Sequence, residues 1–123
     1  MRYLTDRKRV EGLGSGRDGT QHHWQMMVSS ILLCFAIPAV VIIMATALGG
    51  SYADVTAYLA KPGIALVLML SGSVIIWHVM QESIEAIEDY VHGTAGKLCL
   101  VAVRALAYTL IAAGIFAIVR VAL

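Results

Sequence analysis

Three long apolar runs decide what this chain can fold into. They are Met26 to Leu48, Ile64 to about Met80 with a more polar continuation, and Leu98 to Leu123. A membrane-crossing helix needs about 20 mostly apolar residues, so three of them use up most of a 123-residue chain. The 59% hydrophobic content lies above the roughly 45–50% of ordinary globular domains. The expected fold is an all-α membrane protein. A polar arm covers 1–25, and a three-helix transmembrane region covers 26–123, with spans at about 26–48, 62–88 and 97–121. What remains is too short for a flavin- or nucleotide-binding domain.

Charge placement sets the expected orientation. Net charge is only +1, yet Arg2, Arg7, Lys8, Arg9 and Arg17 all precede the first span, and the following loop carries Lys61 alone. Positive residues favour the cytoplasmic side, which places the N-terminus inside and the C-terminus outside. The basic arm has no interleaved aromatics and no nucleic-acid motif, so topology explains it better than nucleic-acid binding. The long polar lead and the length of the first apolar run do not read as a cleaved signal peptide. Cys34 and Cys99 are isolated within spans, without metal or haem-attachment spacing, and read as small apolar residues.

Local signals complete the outline. His22-His23-Trp24 reads as an interfacial belt, because adjacent helical residues rarely point at one ion. Ser29 and Ser30 read as close-packing residues, and Pro38 as a kink. The segment 49–62 reads as a loop with Tyr52 and Tyr58 as interfacial anchors, and Pro62 suits the first turn of the second span. Gly93-Thr94-Ala95-Gly96 reads as the turn into the third span, where Arg120 can snorkel outward.

Ionisable residues at membrane depth are costly and by default mark function. His78 is one. Eleven residues later comes Asp89, followed at once by Tyr90; Asp89 is about three helical turns from His78 and within roughly 20° of the same face. Ser71, His78, Glu82, Glu85 and Asp89 share that face, which must meet protein, cofactor or water. Glu85 and Glu88 read as solvated at the inside surface. Arg104 lies inside the third span. A hairpin turning near residue 93 sets Arg104 level with Glu82, which suggests an ion pair between them. The competing reading gives Arg104 an anionic cofactor group and leaves Glu82 hydrated.

These residues resemble a family. His78 followed by Glu88-Asp89-Tyr90-Val91-His92, with Gly16-Arg17-Asp18-Gly19-Thr20-Gln21-His22-His23-Trp24 before the first span, looks like the small hydrophobic membrane anchor of succinate dehydrogenase (respiratory complex II). The likeness covers nearly the whole chain. It implies half of a heterodimeric anchor bundle holding haem b, with His78 as this chain's axial ligand to the haem iron. It also implies a ubiquinone site on the inside, where Tyr90 hydrogen-bonds a quinone carbonyl and Asp89 supports it. Arg104 becomes a candidate propionate contact. The implied partners are the cytochrome b anchor, the iron–sulfur protein and the flavoprotein. The last two carry the iron–sulfur clusters and FAD. The implied location is a bacterial inner membrane rather than a mitochondrial one, with a periplasmic C-terminus. Two family arginines are replaced here, by Gln25-Met26-Met27 and by Val79-Met80, and Glu82 stands where relatives often have glycine.

The expected activity is that of a non-dehydrogenase component of succinate dehydrogenase (quinone), not catalytic alone. It would help pass electrons to ubiquinone in the respiratory chain, in a complex shared with the tricarboxylic acid cycle. Two imidazoles would make a low-spin electron-transfer haem without an open coordination position. A tyrosine hydroxyl with a nearby carboxylate suits proton delivery to a quinone oxygen. Three rivals stand beside this reading: an anchor for fumarate reduction, a non-redox helical scaffold in which His78 is a bundle histidine, and a small transporter relaying through Glu82 and Arg104. The transporter lacks the inverted repeat such folds usually show.

Overall fold

The computed structural model describes residues 5–12 and 18–123, where five helices form and no strand. Arg2, most of the glycine-rich stretch and the opening Gly16-Arg17 of the N-terminal signature lie outside the described residues. Helix α1 (Asp6–Glu11) is a single short piece, N-capped by Thr5, whose Oγ1 accepts from the Lys8 backbone N–H at 3.3 Å. Three long helices carry the fold: α2 (Asp18–Ala47), α4 (Pro62–Tyr90) and α5 (Gly93–Ala122). All three are long and apolar enough to cross a membrane. At 1.5 Å per residue each reaches about 45 Å, beyond a hydrocarbon core of about 30 Å, so their ends stand in the headgroup region or in water.

Helix α2 already includes Asp18, the first described residue of this stretch, within the segment that reads as polar arm. Hydropathy marks where a helix enters lipid rather than where it starts, and the polar turns through Trp24 continue the same backbone ladder. Pro38 sits inside α2 and removes the N–H that the Cys34 carbonyl would otherwise accept. Membrane helices tolerate that loss.

The segment that reads as an outer loop folds into helix α3 (Tyr52–Leu59). Ser51 and Asp54 build a capping box there. The Ser51 hydroxyl accepts from the Asp54 N–H at 3.3 Å, and the Asp54 carboxylate accepts from the Ser51 N–H at 3.2 Å. The Ser51 side-chain hydroxyl, and then its backbone N–H, hold the Asp54 carboxyl below its ordinary range. Pro62 opens α4 in its first turn, where the missing N–H costs nothing.

The hairpin between α4 and α5 is tighter than Gly93–Gly96 as a four-residue turn. Val91 closes α4 by donating to the Ile87 carbonyl at 2.8 Å, and α5 already begins at Gly93. Gly93 has φ +72°, a left-handed value that disfavours other L-residues. Gly96 is buried, and a Cβ there would collide with the Val91 carbonyl oxygen.

Helix α4 is the middle of the bundle. It packs against α2 on one side and α5 on the other, and α2 and α5 do not pack on each other. The α4–α5 core is Met80, Ile84 and Ala107, flanked by Ile76, Trp77, Leu100 and Val103. On the α2–α4 side, Ser29 is buried on α2 and bonds His78 of α4, and Ala36 of α2 and Ser71 of α4 are buried too. Small residues let membrane helices approach closely. Large apolar side chains such as Phe35 and Phe116 face outward, as expected of surfaces that meet lipid or another helix.

Candidate functional site at the seam of α2 and α4

Helices α2 and α4 meet in a repeating register. Ser29 contacts His78, and seven residues away along each helix, in opposite directions, His22 contacts Glu85. Seven residues are about two turns, so the same stripe of each helix returns to the contact. One further step in the other direction brings Ala36 level with Ser71, and both are buried. The α4 stripe that the sequence suggested therefore faces α2 at Ser71, His78 and Glu85.

At the middle step, the His78 side chain is only 13% exposed. Its Nδ1 lies 2.8 Å from the Ser29 hydroxyl, and Ser29 is buried. That hydroxyl has one hydrogen, which it donates to the Met26 carbonyl at 3.0 Å. With its hydrogen on that carbonyl, which the Ser30 hydroxyl also bonds at 2.8 Å, Ser29 Oγ is placed to accept from His78 Nδ1–H, the tautomer that leaves a lone pair on Nε2. Nε2 is 3.6 Å from Glu82 Oε1, too far for a hydrogen bond. Glu82 itself is 59% exposed. His78 thus has one ring nitrogen bonded to Ser29 and the other, Nε2, free of any hydrogen bond but near the Glu82 carboxylate.

At the next step, Gln81 Nε2 donates to His22 Nδ1 at 3.4 Å, and His22 Nε2 donates to Glu85 Oε1 at 2.6 Å. Glu85 is consequently not simply solvated, because a histidine from α2 holds it. His22 belongs to this clasp rather than to an aromatic belt alone. A cleft of about 310 Å³ runs beside the same seam, between Trp24 and Ser29 on α2 and Val74 and Trp77 on α4.

At the rim, Asp89 and Tyr90 end α4. Both are exposed, Tyr90 to 84%. Among the described residues none covers the Tyr90 ring, so a cleft around it needs another protein's surface.

The expected Glu82–Arg104 ion pair does not form. Arg104 is exposed on α5, and Glu82 turns to His78 instead. Depth alone suggested the pair, but azimuth forbids it. Helix α5 sits on the face of α4 made by Ile76, Trp77, Met80 and Ile84, and at about 100° per residue Glu82 lies on roughly the opposite side. Among the described residues no three histidine, cysteine or acidic side chains converge as a metal site.

Comparison with known proteins agrees with the resemblance. The family model for the succinate dehydrogenase/fumarate reductase transmembrane subunit matches residues 1–121. The succinate dehydrogenase hydrophobic membrane anchor subunit of Paracoccus denitrificans is 37% identical over 123 residues, covering 100% of this chain and 95% of the relative. No solved structure matches to the same standard.

Proposed function

Because this chain belongs to the succinate dehydrogenase/fumarate reductase transmembrane-subunit family, we propose that it anchors a succinate:ubiquinone oxidoreductase in the membrane, supplies one ligand to haem b and forms part of the quinone site. The observation that carries the haem reading is the state of His78. Nδ1 is bonded to Ser29, and Nε2 makes no hydrogen bond, lying 3.6 Å from Glu82. Metal-ligating histidines characteristically fix one ring nitrogen through a hydrogen bond and bind with the other. The donor chemistry fits one half of a two-histidine site. The facing histidine belongs to the cytochrome b anchor.

When bound, such a haem supplies one-electron transfer without an open position for substrate. The chain's own residues hold and orient it. Ser29 fixes the ring plane of His78, and the small residues of the α2–α4 seam keep the two helices close enough for that contact. At the rim, Tyr90 donates its hydroxyl hydrogen to a quinone carbonyl, and Asp89 beside it orients the hydroxyl or receives protons from inside water. The exposure of both residues suits a site completed by the iron–sulfur protein. The flavoprotein, which holds FAD, carries succinate oxidation. Positive residues in the arm favour an N-terminus in the cytoplasm of a bacterium.

A purified assembly of this chain with its partner proteins tests the reading. A reduced-minus-oxidised spectrum with a b-type band supports it, and a complex without haem favours a non-redox scaffold. Anchoring a fumarate reductase is the second reading, because the matching family model covers both enzymes.

A further inference from the structure

The contact between Ser29 and His78 has a redox consequence. We infer that Ser29 is a positioning residue that sets both the bonding nitrogen of His78 and the reduction potential of the group bound there. The inference rests on the haem reading above.

The single hydrogen of the Ser29 hydroxyl decides the roles. Placed on the Met26 carbonyl at 3.0 Å, which the Ser30 hydroxyl also bonds at 2.8 Å, it leaves Oγ as an acceptor 2.8 Å from His78 Nδ1, and we take that arrangement. An acceptor at Nδ1–H pins the tautomer whose lone pair is on Nε2 and strengthens the imidazole as a donor to metal. A stronger donor favours ferric over ferrous iron, so this hydrogen bond lowers the potential of the site. Hydrogen bonding around axial ligands is one of the protein's means of tuning a haem. Both partners are shielded, Ser29 at 4% and the His78 side chain at 13% exposure, so water is poorly placed to replace the lost acceptor. The back-bond to Met26 does more than satisfy a helix serine. It orients Oγ so that its lone pair, not its hydrogen, meets the ring.

The experiment is a potentiometric titration of haem b in the purified complex, with low-spin ferric electron paramagnetic resonance on the same samples. Ser29→Ala should raise the midpoint potential and shift the ferric g-values. Ser29→Thr keeps a hydroxyl able to bond the preceding turn and should retain wild-type values. Ser29→Cys, a weak acceptor of similar size, should fall between them and serves if the alanine variant loads no haem. A merely structural role would lower haem content without moving the potential of the loaded fraction. Wild-type potential and g-values in loaded Ser29→Ala or Ser29→Cys overturn the inference. Wild-type complex without haem overturns the reading beneath it.

Discussion

His22 Nε2 lies 2.6 Å from Glu85 Oε1, tying the first turns of α2 to the last turns of α4. The pair is partly open, at 36% and 46% side-chain exposure, so it contributes little by itself, on the order of 1 kcal/mol or less. Its value is positional, because it fixes the end of α4 from which Asp89 and Tyr90 project.

Breaking that clasp should therefore have a small, coupled effect. In a double-mutant cycle on detergent-solubilised complex, His22→Ala and Glu85→Gln should each lower thermal stability slightly. Their combination should cost less than the two single losses added together. Full additivity would mean that the contact carries no energy.

Glu82 and Arg104 should behave in the opposite way. They face different sides of the bundle, so Glu82→Gln and Arg104→Met should be independent, with coupling below about 0.5 kcal/mol. Rescue of the first substitution by the second, read from complex stability, would show that they meet after all.

The α4–α5 hairpin should tolerate no Cβ at Gly96. Gly96→Ala drives a methyl into the Val91 carbonyl oxygen, and the backbone must shift by more than a flexible side chain would. A loss of about 1–3 kcal/mol is expected, seen as reduced membrane yield and a lower unfolding temperature. The neighbouring Thr94→Ala, at an exposed position, should be near neutral.

Tyr90→Phe removes one hydroxyl from a ring that is already exposed, so assembly should be unharmed. Quinone reductase activity should fall by roughly a hundredfold or more, the usual scale for losing a proton donor at a reacting group. Succinate oxidation with an artificial dye should persist. Equal loss of both activities would assign Tyr90 to assembly instead.

Much of this arrangement is legible in the sequence, for identifiable reasons. The three spans follow from apolar run length alone, and His78 stands out because lipid penalises an ionisable side chain. The seven-residue offset linking Ser71, His78 and Glu85 predicts a shared face. The matching stripe on α2, His22, Ser29 and Ala36, has the same offset and is the signal that sequence reasoning missed. His22 reads naturally with its aromatic neighbour, and Ser29 as packing. The Glu82–Arg104 expectation erred because a hairpin sum gives depth but not direction around the axis. The helix in 51–60 is hidden because its capping box, Ser51 with Asp54, sits in a glycine-rich stretch that looks like a loop.

The assignment of His78 as a haem ligand underlies the proposed function and the role of Ser29. The measurement is a reduced-minus-oxidised spectrum of the purified complex carrying His78→Ala, beside wild type and the separate variants His22→Ala, His23→Ala and His92→Ala. Wild type and the last three should show the same low-spin b-type band, and His78→Ala should lose or visibly alter it. An unchanged band in His78→Ala, or a band lost only with one of the other histidines, would contradict the assignment.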